Sequence, residues 1–265
     1  MTPPAIAEGL LAWNPGSGLT RGLAADTRLL AADSWLLRDG TMRGYDRHRE
    51  RFFRACADCG APPFDHLTEF WRDMTTALPR TGTWFPRVEL VRGSLQLRLL
   101  LRHAPQLSPS VRVWAAGQPD PRTVPRRKGP DLDALGRVRR RAAGQDAEEA
   151  VLIAPSGIVL EAASSSLLWW EDETLCMPSP HLPILPGVTN ALIQEQARRT
   201  GIRVAHRERT LQQLEGLEVW LVNALHGIRP VTEWTGRPLE AGPALRAPEW
   251  RKWLDSVMEP LPDRA

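Results

Sequence analysis

Lysine is the residue this chain nearly lacks, with two copies, Lys128 and Lys252, against 32 arginines. Tyrosine is scarcer still, at one copy, Tyr45, and cysteine numbers three. Three cysteines cannot build a disulfide framework. No stretch reaches the roughly 18–20 consecutive apolar residues that a membrane-crossing helix needs. The opening MTPPAIAEGLLAWNPG lacks both the basic start and the apolar run of a signal peptide, which points to a cytoplasmic address. The net charge is +3, but 31 acidic residues are interspersed with the arginines. The clustered basic stripe of a nucleic-acid-binding surface is therefore missing.

What is present is an ordinary globular composition: 42% hydrophobic residues, 25% charged residues and eleven tryptophans, enough to bury a sizeable core. The pair Cys56/Cys59 in RACADCG has the CxxC spacing, yet it falls late in a helical pattern with no second ligand pair, so packing is expected and no metal site. DSWLLRDGTMRG reads as a hairpin around Asp39-Gly40. Asp46 is the expected N-cap of the helix RHRERFFRACADCG, and FDHLTEFWRDMTTAL sets Leu67, Phe70, Trp71 and Met74 on one helical face. Strand-like runs RVELVRG, SLQLRLLLR and SVRVWAAG follow, and residues 1–31 yield no clear elements.

The first half is thus α+β, with a domain expected over 1–116. GQPDPRTVPRRKGP, residues 117–130, holds four prolines and is the expected linker. A second domain is expected over 131–265. It would comprise the helix DLDALGRVRRRAA, strand pairs through EAVLIAP, GIVLEA, SSLLWW and ETLCMP, a helix opening at LPGVTNAL, the strand EVWLVNAL and a C-terminal helix APEWRKWLDSVME.

The lysine at the end of the linker invites a chemical reading. An amine can condense with an aldehyde, whereas a guanidinium stays protonated. Lys128 in PRRKGP is therefore a candidate Schiff-base residue, provided burial and neighbouring cations such as Arg126 and Arg127 lower its proton affinity; a solvated linker lysine is the plain alternative. LPGVTNALIQEQ places Pro-Gly before a helix whose free first-turn amides suit a phosphate. Glu161 interrupts the apolar run GIVLEAASSSLLWW and needs a partner, either a protonated ring nitrogen or an arginine.

In their order and spacing, KGPDLDAL, GIVLEAASSSLLWW, ETLCMPSP, LPGVTNAL and VWLVNALHGIRPV resemble the fold-type IV, class IV pyridoxal-phosphate enzymes. That family includes branched-chain and D-amino-acid aminotransferases and 4-amino-4-deoxychorismate lyase. The resemblance spans roughly residues 33–235 and implies a two-domain α+β fold of the D-amino-acid aminotransferase type. It also implies pyridoxal 5'-phosphate as cofactor, a small-molecule amino substrate, and a homodimer with the cofactor in the cleft between the domains.

Carried onto this chain, the family pattern makes Lys128 the catalytic lysine that bonds the cofactor and moves protons. Glu161 becomes the partner of the pyridine nitrogen. Val188 and Thr189 become the amides of the phosphate cup, Arg51 in HRERF an arginine closing on the same phosphate, and Asn223 and Ala224 a second loop beside it. Arg102 lines up with the arginine that takes a substrate carboxylate in the lyases. The Asn-Ala-Leu and Pro-Val ends of VNALHGIRPV resemble the lyases more than the aminotransferases. Many aminotransferases carry a tyrosine five residues after the lysine; here that place is Asp133, or Leu132 if a residue is deleted.

The reaction implied is elimination of pyruvate to give p-aminobenzoate. A class IV aminotransferase and a non-catalytic relative of the fold are the alternatives. AADSW, Ala31 to Trp35, stands where relatives carry a GDG-F-E-T signature, and Asn190 stands where they often carry arginine.

Overall fold

The computed structural model describes residues 8–21, 28–60 and 62–263, so the first seven residues of the leader reading lie outside it. The chain divides into two compact units. One comprises Met1–Leu107, Arg127–Pro130 and Met258–Ala265; the other comprises Ser108–Arg126 and Asp131–Val257.

In the first unit, β1 (Gly9–Asn14) and β2 (Gly18–Arg21) form a hairpin within the stretch 1–31, where no element was expected. The strand β3 (Leu29–Ser34) is followed by β4 (Leu37–Arg38) and β5 (Thr41–Met42). These two short strands flank Asp39 and Gly40, whose φ values of 47° and 71° are those of the tight hairpin turn the dipeptide predicts. Helix α1 (Tyr45–Ala57) starts behind Gly44 in the left-handed conformation, so Asp46 is a first-turn residue and not the expected N-cap. An acid there still opposes the positive end of the helix dipole. Helix α2 (Phe64–Ala77) buries Leu67, Phe70, Trp71 and Met74, the predicted face.

Strands β6 (Thr83–Trp84), β7 (Arg87–Val91) and β8 (Leu97–Leu101) complete the unit. The main sheet is antiparallel in the order β2-β1-β8-β7-β3. Trp35, Phe52, Phe70 and Trp71 meet ring to ring in the core. A C-terminal strand, Glu259–Pro260, pairs with β5, and Leu261 donates its N–H to Gly40 O at 2.9 Å.

The second unit contains β9 (Val111–Pro119), α3 (Leu132–Ala143), β10 (Glu149–Ile153), β11 (Val159–Ala162), β12 (Ser166–Glu171) and β13 (Thr174–Met177). Helix α4 (Val188–Arg199), β14 (Arg203–His206), β15 (Val219–Asn223), β16 (Gly227–Thr235) and α5 (Ala247–Ser256) follow. Its mixed sheet runs β11-β10-β9-β16-β15-β12-β13-β14. The SLLWW segment shows why the sheet holds: alternate side chains leave opposite faces. Leu167 and Trp169 pack with Val113 and Leu221, while Leu168 and Trp170 pack with Ile193, Trp220 and Trp250. These residues form core on both faces of the sheet.

The boundaries differ from those expected. Ser108–Pro119 belongs to the second unit because β9 is an interior strand between β10 and β16, and the tail from Met258 joins the first unit through its pairing with β5. The proline-rich stretch 117–130 is tied down rather than free. The carboxylate of Asp131 accepts from Thr123 N, Thr123 Oγ1 and Val124 N at 2.9–3.0 Å, closing the loop that carries Lys128.

Sequence patterns also missed a buried cap. The Glu218 carboxylate accepts from Trp220 Nε1 at 2.9 Å and from the backbone N–H groups of Arg246 and Ala247 at the start of α5. Replacing Glu218 by Ala leaves those donors without a partner and should cost about 2–4 kcal/mol in urea unfolding.

Candidate active site

In the first unit the carbonyl of Lys128 accepts from Ala32 N at 2.7 Å, so the lysine segment lies along β3. Gly129 makes this approach possible. Its φ is +132°, and a Cβ on it would stand 2.8 Å from Ala31 C and Ala32 N, closer than side chains tolerate. Lys128 keeps some accessible surface, but its amine is surrounded by protein. Burial first, and then the charge of Arg51, pull the amine down to about 8; Arg87 and Arg102 add to the effect and Asp33 opposes it.

The expected cations, Arg126 and Arg127, play no such part. Arg126 donates to the carbonyls of Pro180, His181 and Leu182 at 2.8 Å each, and Arg127 lies beside the Cys59 thiol. Residues adjacent in sequence point apart in this turn, while cations distant in sequence converge.

Arg51 lies on the inner side of α1, one turn from His48. Its Nε donates to Asp33 Oδ2 at 2.8 Å and a terminal nitrogen donates to Oδ1 at 2.7 Å. His48 Nδ1 and Ser34 N also reach Oδ1, at 2.8 and 2.7 Å. Asp33 is wholly buried. Burial alone would raise its proton affinity, but Arg51 and His48 together more than offset this and hold the carboxyl well below the usual range. Burial drives His48 toward the neutral ring, which then donates through Nδ1–H.

Arg102 is half-buried. Its Nε donates to Phe85 O at 3.0 Å and its guanidinium lies over the Phe85 ring, 4.7 Å from the centroid. Glu89, buried between Arg87 and Arg98, is taken up by both. Burial, and next the charge of Arg87, make Arg102 easier to deprotonate than usual.

In the second unit Glu161 is buried on β11. Arg122 Nη1 donates to its Oε1, as does Leu185 N at 2.9 Å. No described residue bonds Oε2. Arg122 is itself held by both oxygens of Asp120 at 2.8 Å and by Pro183 O at 2.9 Å. Burial raises Glu161 to about 7 even with Arg122 and the Leu185 amide opposing the rise.

The start of α4 lies close to the β11–β12 turn: a Cβ on Gly187 would meet Ser166 Oγ at 2.7 Å. Val188 and Thr189 are buried first-turn residues, and a helix start leaves its first N–H groups without intrahelical acceptors. Asn223 is occupied as a staple. Its Nδ2 donates to Ser165 Oγ at 3.0 Å, and its Oδ1 accepts from Leu225 N and His226 N, shaping the loop that contains Ala224.

The residues that sequence reading missed are Asp33, His48, Arg87, Asp120 and Arg122. Asp33 carried the same signal as Glu161, an isolated acid in a small-residue strand. Cys56 packs in the core beside Phe52, and burial pushes its thiol up. Among the described residues no cluster of three or more His, Cys, Asp or Glu side chains could hold a metal ion, and no helix is long and apolar enough to cross a membrane. Graded amine labelling of the cofactor-free protein across pH, read by peptide mapping, should give Lys128 a midpoint near 8, well below the ~10.4 of an ordinary lysine.

Solved structures with this architecture share little sequence, so the likeness concerns the fold alone. Branched-chain amino acid aminotransferase from Escherichia coli superposes with a TM-score of 0.78 at 14% identity, covering 95% of each chain. A hypothetical aminotransferase from Mycobacterium tuberculosis, solved with α-ketoglutarate and pyridoxamine phosphate bound, gives 0.76 at 21% identity, covering 94% of this chain and 98% of that one. A protein from Legionella pneumophila provisionally assigned as 4-amino-4-deoxychorismate lyase gives 0.76 at 17% identity, covering 90% and 96%. No curated protein sequence matches the chain. The model of the amino-transferase class IV family matches residues 30–234, the span that holds Lys128, Glu161 and the start of α4, and the chain belongs to that family of pyridoxal-phosphate-dependent enzymes.

Proposed function

We propose that the protein is a lyase of the 4-amino-4-deoxychorismate type, releasing pyruvate and leaving p-aminobenzoate. The residues present fit the family's cofactor. Lys128 has an amine poised near neutral, Glu161 keeps one oxygen unengaged while the other is anchored, and Gly187, having no Cβ to collide with Ser166 Oγ, lets the start of α4 lie close against β12. When bound, pyridoxal phosphate supplies an electron sink for negative charge developing on the carbon next to the substrate nitrogen.

On this reading the Lys128 amine would hold the cofactor's aldehyde carbon and would move a proton as base and acid. An amine near 8 suits both roles at neutral pH. Glu161 holds a proton on the ring nitrogen. The amides of Val188 and Thr189, the Ala224 loop and Arg51 take the phosphate. Arg102, a half-buried cation whose described bond goes to a carbonyl rather than a carboxylate, takes a substrate carboxylate. The homodimer the family resemblance implies belongs to the same proposal.

One observation carries the choice of lyase over aminotransferase: the chain has no tyrosine available for the cofactor. Asp133 is exposed in the first turn of α3. Tyr45 bonds Thr75 Oγ1 at 2.7 Å and packs edge-on against Trp71 between α1 and α2.

Incubating the yellow holoenzyme with 4-amino-4-deoxychorismate and no keto acid should release pyruvate and p-aminobenzoate in equal amounts. Turnover that instead requires 2-oxoglutarate or pyruvate as acceptor would mark an aminotransferase, and a colourless protein with no borohydride-fixed adduct on Lys128 a non-catalytic relative. Arg122→Gln should raise the pH at which Glu161 ionises by about a unit or more, because it removes the main charge opposing the effect of burial. In the holoenzyme, the pH midpoint of the cofactor's absorbance should move upward, and Arg122→Lys should move it less.

A further inference from the structure

The Asp33–His48–Arg51 trio does more than fasten α1 to β3. We propose that Asp33 is a positioning residue that fixes the guanidinium of Arg51 for the cofactor phosphate. The proposal rests on the reading of Arg51 as a phosphate ligand given above.

Three observations carry it. Asp33 grips the side edge of the guanidinium, with Nε on one carboxylate oxygen and a terminal nitrogen on the other, at 2.8 and 2.7 Å. Two such bonds set the plane of the group, whereas a single bond would leave it free to pivot. The carboxylate is itself immobilised, since Ser34 N and His48 Nδ1 reach Oδ1 at 2.7 and 2.8 Å. Finally, the pleat of β3 directs Asp33 away from the face of its neighbours Ala32 and Ser34, and Ala32 is the residue whose N–H holds the Lys128 carbonyl. One strand thereby fixes both the lysine backbone and the arginine head group.

Fastening alone is a poor account of these residues. Asp33 and His48 are almost completely shielded from water, and the Arg51 side chain keeps 15% of its exposure. Desolvating such groups is costly, and apolar residues of similar volume often hold elements together equally well or better. What an apolar pair cannot do is aim a cation.

The test compares two ligands that differ by the phosphate. Full-length cofactor-free protein is titrated with pyridoxal 5'-phosphate and with pyridoxal, following absorbance of the lysine adduct, for the wild type, Asp33→Asn, Asp33→Glu and Arg51→Gln; circular dichroism confirms folding at the assay temperature. Asp33→Asn keeps the shape but turns an amide N–H toward a donor. It should weaken pyridoxal phosphate binding about tenfold or more while leaving pyridoxal within about twofold. Asp33→Glu keeps the charge but displaces it by a methylene group, and should lose part of the same preference, which keeps the test decisive if Asp33→Asn does not fold.

Arg51→Gln should reduce the preference for the phosphorylated ligand at least as much as Asp33→Asn does. If it reduces that preference while the Asp33 variants retain the wild-type preference, the positioning role is overturned and the phosphate reading of Arg51 stands. An unchanged preference in Arg51→Gln overturns both. Equal weakening of the two ligands in the Asp33 variants, in step with a lower Tm, shows a fastening role only and overturns the proposal.

Discussion

The 2.7 Å hydrogen bond from Ala32 N to Lys128 O, made possible by the bare Cα of Gly129, is the contact on which the chemistry of the first unit depends. Lysine is a flexible four-carbon stem that ordinarily seeks water. Fixing its backbone against the buried edge strand β3 leaves the amine within the field of Arg51, Arg87 and Arg102. None of these cations is a sequence neighbour of Lys128; the fold assembles them from α1, β7 and the residue after β8. Water loss and like charge act in the same direction on an amine, and together they bring it near neutrality.

The second unit handles an acid by the opposite route. Burial pushes Glu161 up while Arg122 and the Leu185 amide pull it back, leaving it near 7. Asp33, equally buried in the first unit, lies well below the usual range. The difference lies in how each cation is shared. Arg51 gives two nitrogens to Asp33, whereas Arg122 gives most of its donors to Asp120 and Pro183 and a single nitrogen to Glu161. A carboxylate gripped by two nitrogens of one guanidinium is a fixed charge, and one that receives a single nitrogen stays responsive to its surroundings. That contrast agrees with the proposed roles: one acid aims a neighbour and the other meets a titratable ring nitrogen.

Much of this was legible in the sequence where a residue stood out from its local background. Lys128 stood out among arginines, Glu161 interrupted an apolar run, and Pro-Gly ahead of an apolar segment marked the start of α4. Period and turn chemistry located the Asp39-Gly40 hairpin, both helices of the first unit and the buried SLLWW strand. The failures share a physical cause: they concern partners brought together across long sequence distances. Nothing local says that Arg122, nine residues before Asp131, turns toward Glu161, or that Glu218 receives a helix beginning at Ala247. The proline-rich segment read as a linker because proline disrupts local periodicity, yet a loop without repeating structure can be rigid when each end is nailed by a carboxylate, as Asp120 and Asp131 do here.

The near absence of lysine then has a physical reading beyond composition. Exchanging lysine for arginine is cheap at most surface positions, where either cation is solvated and each contributes little. It is not cheap where the cation must give up its proton. A guanidinium at position 128 would remain charged among Arg51, Arg87 and Arg102, adding a permanent like charge to a water-poor site and losing the only group there able to bond an aldehyde. Glycine at 129 and alanines at 31 and 32 are constrained by the same requirement, since any bulk between β3 and the lysine segment would lift the amine out of the field that tunes it.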